Sequence, residues 1–279
     1  MRHGFKLDAT KVAETVLYSF TGGTDGACPA NKGLIYQGGA LFGLTRSGAP
    51  DCGIGLGTVF KLNPLTGIET VLYSFAGGTD GIDPYALIYE GSALYGTTMA
   101  GGGNGCLNNL GCGTVFKLDI ATGTETVLHR FTGGADAAYP SSLIYRDGVL
   151  YGTSFNGGSP KCNCGTIFTV NPTTGAEAVV YYSEDNRKGK AYVGMINHGA
   201  LYGVTAGGGT ATFGSLFVFN PTSNRETLLY SFSGGSAGSY PEAGLLFKNG
   251  AFYGTTSLAG KIYGCHVYVG CGTIFKFTP

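Results

Sequence analysis

Short apolar runs rich in Val, Ile, Leu, Tyr, Phe and Thr recur along this chain between polar segments dense in Gly, Asn, Asp and Ser. No segment beside these turns holds the 3.6-residue apolar period of an amphipathic helix, so the pattern predicts strands joined by turns and essentially no α-helix. One run returns five times: Gly57-Thr-Val-Phe60, Gly113-Thr-Val-Phe116, Gly165-Thr-Ile-Phe168, Gly214-Ser-Leu-Phe217 and Gly272-Thr-Ile-Phe275, at steps of 56, 52, 49 and 58 residues. A second marker keeps phase with it in Leu41-Phe-Gly43, Leu94-Tyr-Gly96, Leu150-Tyr-Gly152, Leu201-Tyr-Gly203 and Phe252-Tyr-Gly254. A period near 50 residues means a solenoid, an array or a propeller.

The second copy shows what one unit is. Ala86–Tyr89 and Ala93–Thr98 are β-prone runs joined by Glu90-Gly91-Ser92, a hairpin signal. A Gly-rich loop over Gly101–Cys112 leads to a third strand, Gly113–Leu118, and the turn at Thr122-Gly123 leads to a fourth, Glu125–Phe131. Four strands in a meander make one propeller blade. In Thr70–Phe75 one face carries Val71, Tyr73 and Phe75 and the other Thr70, Leu72 and Ser74, as expected of a strand packed on both sides. A parallel β-helix wants shorter rungs, and separate hairpins bury no core.

The reading is therefore an all-β chain: one five-bladed β-propeller domain of four-stranded antiparallel blades over residues 1–279, with repeat units at about 14–62, 69–118, 125–170, 177–219 and 226–277. The ring is expected to close through the N-terminal strand, because Glu14–Phe20 has a fourth-strand sequence with no complete unit before it and the last unit stops at its third strand, 272–277. A surplus third-strand sequence, Gly4–Leu7, remains. It is expected to extend a blade, to fray, or to pair through Phe5 and Leu7 with another copy of the protein.

Charge and cysteines narrow the setting. Lys plus Arg equals Asp plus Glu at 17 each, which excludes a field suited to nucleic acid or an anionic membrane as partner. No run approaches the ~18 apolar residues of a membrane helix, so no membrane insertion is expected, and Met1–Phe20 lacks the apolar core of a signal peptide, so an exported form would be the mature chain. The eight cysteines fall as Cys106/Cys112, Cys265/Cys271, Cys162/Cys164 and Cys28 with Cys52. An even count at local spacings implies disulfides and an oxidising compartment. Zinc would want C-x2-4-C pairs or added His, and neither these spacings nor four histidines fit.

The string Leu-Tyr-Gly-Thr-Thr, Gly-rich loop, Gly-Thr-Val-Phe-Lys-Leu, Thr-Gly, Thr-Val-Leu-Tyr-Ser-Phe, Gly-Gly-x-Asp-Gly resembles the GloVer tandem repeat of bacterial proteins that carry varied cell-surface anchoring signals. The resemblance runs from Gly4 to Phe277 and is weakest in the fourth unit, where Tyr181–Lys190 replaces the usual segment. It implies an exported repeat protein with no defined activity.

Candidate chemistry is sparse. Asp25, Asp80 and Asp136 of the Gly-Gly-x-Asp segments invite a calcium or catalytic-carboxylate reading, but Asp-Gly in a turn bonds its own backbone and the turn reading is preferred. A glycosidase needs two acids placed about 5 to 10 Å apart, and acids that recur with every repeat do not single out such a site. There is no Gly-x-Ser-x-Gly elbow and no phosphate-binding loop. Two symmetry breaks stand out. Glu184, Asp185, Arg187, Lys188 and Lys190 form a charged segment, either a solvated loop or a partner contact. Tyr263, His266 and Tyr268 lie in the last Cys loop, either covering a blade edge or presenting aromatic contacts to glycan or protein. The expected function is a secreted or cell-surface structural and interaction module, not an enzyme, with no cofactor or metal, whose partner is itself or another surface component. The alternatives are a lectin-like carbohydrate binder and, less favoured, a polysaccharide hydrolase or lyase.

Overall fold

The structure is a computed structural model that describes residues 3–8, 13–30, 33–48, 53, 55–159, 163–182, 191–197, 199–242, 244–260 and 270–279. The chain falls into two compact units, Met1–Thr132 and Gly133–Pro279. In the first, β1 (His3–Asp8) and β2 (Ala13–Ser19) form a two-stranded pair. A sheet follows from β3 (Ala27–Pro29), β4 (Ile35–Gln37), β5 (Ala40–Ser47), β6 (Thr58–Leu62) and β7 (Glu69–Ser74), in which β3 and β4 share the first-strand position beside β5. A second sheet runs through β8 (Gly81–Glu90), β9 (Ala93–Gly101), β10 (Thr114–Asp119) and β11 (Glu125–Arg130).

The second unit holds β12 (Ala137–Arg146), β13 (Val149–Gly157), β14 (Thr166–Val170) and β15 (Glu177–Tyr182), then β16 (Ala191–Asn197), β17 (Ala200–Thr205), β18 (Ser215–Asn220) and β19 (Arg225–Ser231). Its last sheet has β20 (Ser239–Pro241) and β21 (Leu246–Lys248) on one side of β22 (Ala251–Leu258) and β23 (Thr273–Phe277) on the other. The described residues contain no α-helix.

The two markers of the repeat meet in space. The Gly of each second strand lies opposite the Phe of its third: Gly43↔Phe60, Gly96↔Phe116, Gly152↔Phe168, Gly203↔Phe217 and Gly254↔Phe275. A Cβ on Gly43, Gly96, Gly152 or Gly254 would collide with that ring, so these glycines are required for space rather than for a left-handed backbone. Next to each pair a hydroxyl couple is buried between the same strands, as in Thr45 Oγ1 with Thr58 Oγ1 at 2.8 Å and Thr98 Oγ1 with Thr114 Oγ1 at 2.9 Å. The Thr58 and Thr114 N–H groups donate to the same oxygens, so the buried polar atoms are satisfied.

Third and fourth strands share one register and one bulge. Val59↔Tyr73 and Phe60↔Val71 in the first blade recur as Val115↔His129 and Phe116↔Val127 in the second. The turn between them is an Asx turn: Asn63 Oδ1 accepts the Leu65 and Thr66 N–H groups, and Asp119, Asn171 and Asn220 do the same in their own blades. In three places the Phe that follows a fourth strand packs edge-on against the third-strand Phe of the next sheet in the same unit, with centroids 5.1 Å apart for Phe20–Phe60, Phe75–Phe116 and Phe232–Phe275.

The ends of the chain pair differently from the expectation. Residues 14–20 do not take 272–277 as their ladder partner; β2 pairs with β1, in the register Phe5↔Val16, Lys6↔Thr15 and Leu7↔Glu14, with the repeat's bulge after Gly4. The surplus segment thus occupies the third-strand position beside β2 instead of fraying or extending a complete blade. The reason is local: β1 carries the third-strand pattern and reaches β2 through one short connection, whereas the strand at 272–277 lies nearly the whole chain away.

Gly96→Ala is expected to destabilise the protein by about 1–3 kcal/mol through overpacking against Phe116, and adding Phe116→Leu should recover part of that loss. Denaturant midpoints of the two variants check it.

Candidate functional site

The repeated aspartates are absorbed by their own turns. Asp25 Oδ2 accepts the Thr21 N–H at 2.8 Å, the Thr21 hydroxyl at 3.0 Å and the Tyr18 hydroxyl at 3.0 Å. Asp80 accepts from Ala76 N–H at 2.8 Å, Tyr73 Oη at 3.0 Å and Gly81 N–H at 2.6 Å, and Asp136 from Ala137 N–H at 2.7 Å. Burial works to raise the Asp25 pKa, but the Thr21 and Tyr18 hydrogen bonds outweigh it and hold the carboxyl below its ordinary value. Burial and the Asp25 carboxylate push Tyr18 up to about 12. Of the glycines that follow, Gly26 takes a φ of 79°, while Gly81 is needed because a Cβ would strike Thr98.

Sequence reasoning passed over the glutamates that open each fourth strand. Burial raises Glu69, with Asp25 adding to it, and burial together with Asp80 pushes Glu125 up to about 7 against a small opposing pull from Arg130. Asp25 and Asp80 therefore each face a glutamate from the next sheet, Glu69 and Glu125, and each aspartate adds to the rise of the glutamate's pKa. The signal was present as Glu14, Glu69, Glu125, Glu177 and Glu226 in equivalent positions. Tyr181, which no Gly-Gly-x-Asp segment follows in the sequence, donates its hydroxyl directly to the Glu226 carboxylate. A separate symmetry break is the bidentate pair from Arg46 to Asp83 at 2.6 and 2.7 Å, with the guanidinium 5.6 Å from the Tyr85 ring centroid. It ties β5 to β8.

Cys106 and Cys112 are bonded across 5.1 Å between Cα atoms. Cys28, Cys164 and Cys271 are also disulfide-bonded, while Cys52, Cys162 and Cys265 lie outside the described residues. Asp185, Arg187, Lys188 and Lys190 and the aromatic set Tyr263, His266 and Tyr268 lie outside them as well, whereas Phe5 and Leu7 are in the β1 ladder.

The departure from the repeat lies in the last sheet of the second unit. Val59, Val115, Ile167 and Leu216 hold one position in β6, β10, β14 and β18, each opposite a fourth-strand Tyr or His, and are 0, 0, 1 and 0% exposed. Their counterpart Ile274 in β23 is 84% exposed, and β23 has β22 as its ladder partner. Along this open edge runs a groove of about 310 Å³ lined by Tyr230 of β19, by Phe232 just after it and by Thr273–Phe277.

Residues 4–163 and 142–279 each match the Gloeobacter/Verrucomicrobia repeat. The chain belongs to that repeat family. No curated protein matches it. Among solved structures it is similar to an oligogalacturonate lyase in complex with manganese, with a TM-score of 0.57, 13% identity, and 99% of this chain and 71% of that chain covered. It is also similar to a chain of the nidogen/laminin complex, with a TM-score of 0.52, 14% identity, and 83% and 70% covered. At such identities the likeness concerns the fold alone. This member of the repeat family has the β-propeller fold, with five antiparallel blades.

Two predictions follow from the geometry. Ile167→Ala should cost about 2–5 kcal/mol of stability and Ile274→Ala less than about 0.5, although the two residues are equivalent in the repeat; denaturant unfolding of both variants in dilute protein checks this. Glu125, raised in the fold to about 7, favours the native state while protonated. Its contribution is complete below the ordinary glutamate pKa and is lost as pH rises through about 7. Glu125→Gln should therefore flatten the fall in melting temperature between about pH 5 and 8 and stabilise the protein at the upper end by on the order of 1 kcal/mol, a figure discounted for solvent screening.

Proposed function

We propose that this chain is an exported, extracellular interaction module, without catalytic activity of its own, that associates with further copies of itself. The observation that carries the reading is the open edge of β23, where Ile274 is 84% exposed although the same position is buried in four other sheets. An unpaired third strand keeps a row of backbone donors and acceptors ready for a strand from outside.

Two further features support it. The recurring polar groups described above are engaged within the repeats: the aspartates serve their turns and the buried hydroxyl couples serve the sheets. The disulfide at Cys106–Cys112, with Cys28, Cys164 and Cys271 also oxidised, suits an oxidising compartment outside the cytoplasm.

Light scattering coupled to size exclusion across a concentration series tests the reading. Mass that rises with concentration supports it. A constant monomer mass overturns it, and retention of that monomer on a glycan array would put carbohydrate binding in its place.

A further inference from the structure

We infer that the open edge of β23 is a receptor for β2 of a second copy, which adds to the last sheet as its missing fourth strand. The inference rests on the self-association proposed above and names the two surfaces involved.

The sequence of the occupant is set by the repeat. Residues 14–20 are identical to residues 69–75, which fill the fourth-strand place beside β6. Transferring that register to β23 puts Tyr18 opposite Ile274, as Tyr73 stands opposite Val59, and Thr15 opposite Lys276, as Thr70 stands opposite Lys61. The exposed isoleucine would be covered and the sheet would reach four positions.

Polar chemistry at the groove selects the same strand. Where a turn carries the aspartate, as at Asp25 and Asp80, the preceding Tyr donates to it. Where the aspartate is missing, Tyr181 donates to Glu226, the first residue of the motif in the next sheet's fourth strand. The turn after β19 has Ala237 at the aspartate position, and Tyr230 lines the groove, 40% exposed. A fourth strand arriving on β23 therefore has to begin with a glutamate to receive the Tyr230 hydroxyl, and β2 begins its motif with Glu14. With alanine at 237, that glutamate meets no opposing carboxylate from the turn.

The donor has a reason to change partners. In its own chain β2 pairs with β1, which places Gly4 opposite Tyr18, where β23 would place Ile274. Glycine inside a strand has no side chain to pack, so β1 is the weaker partner of the two. In the single chain β2 stays on β1 while the edge of β23 is open, so completion comes from another copy. One donor and one receptor per chain make a head-to-tail contact, which builds rings or filaments.

The test uses the full chain and a synthetic peptide with the sequence of residues 13–20. The peptide should bind saturably and reduce the mass of the assemblies. Ile274→Asp should weaken it at least ~10-fold, and Tyr230→Phe should weaken it by about 10-fold while leaving a Glu14→Ala peptide unaffected, as expected for a hydrogen bond to a charged group. In parallel, Thr15→Cys and Lys276→Cys, both at exposed positions, are made in separate chains and mixed under mild oxidation. A disulfide joining the two variants supports the inference. Assembly that persists without this cross-link, and without peptide binding, overturns the proposed surfaces and leaves self-association standing. A cross-link that forms only within a chain carrying both cysteines overturns the second copy as occupant. A monomer that binds no peptide overturns both readings.

Discussion

The close approach of a bare glycine and a phenylalanine ring between neighbouring strands is the constraint on which each blade depends. The ring lies where the Cβ of any other residue would be, so strands two and three can be aligned in one way only; a slip by one residue would turn every side chain to the opposite face. With the register fixed, the adjoining hydroxyls meet and satisfy each other. The third-strand Phe is then positioned to receive the terminal Phe of the preceding sheet, seen at the same centroid distance in three places. Packing within a blade, and packing between sheets where the three Phe pairs occur, thus follow from one contact, seen at Gly43, Gly96, Gly152 and Gly254.

Polar groups follow the same economy. The chain has few charges, and the aspartates of the Gly-Gly-x-Asp segments serve their turns, with Asp25 and Asp80 also joining a Tyr–Asp–Glu arrangement. Two carboxylates side by side are costly in a half-buried setting; the glutamate pKa is raised, to about 7 at Glu125, while hydrogen bonds are directed at the aspartate. Where the aspartate disappears the tyrosine reaches the glutamate itself, as Tyr181 does with Glu226. The same rule, applied at Ala237, is what gives the last groove its chemical preference.

Exact repetition also carries a liability. When strands of one class share a sequence, each is complementary to every partner of the other class, and only chain connectivity and closing loops decide which pair forms. β1 and β23 are both third-type strands and β2 is a fourth-type strand, so they stand in competition. In most β proteins an open, apolar edge strand is covered or charged to prevent association. Here Lys276 is the only charged residue between Thr273 and Phe277, and the neighbouring Ile274 lies bare.

Fold class, the four-strand unit and the turn role of the aspartates were legible in the sequence, because each rests on short-range patterns repeated often enough to be unambiguous: Gly-Thr-Val-Phe in phase with Leu-Tyr-Gly, and Gly-Gly-x-Asp beside an apolar run. The Gly–Phe contact was not, since two markers 14 to 21 residues apart reveal their phase and not that one sits on the other. Nor was the rise of Glu125, which depends on burial and on a carboxylate 45 residues away, at Asp80. The partner of β2 was misjudged for a related reason. Sequence alone showed that residues 14–20 want a third strand and that two are on offer, at 4–7 and 272–277; between equal patterns it is the folded chain that decides, and β2 pairs with β1, to which one short connection joins it, while Ile274 is exposed.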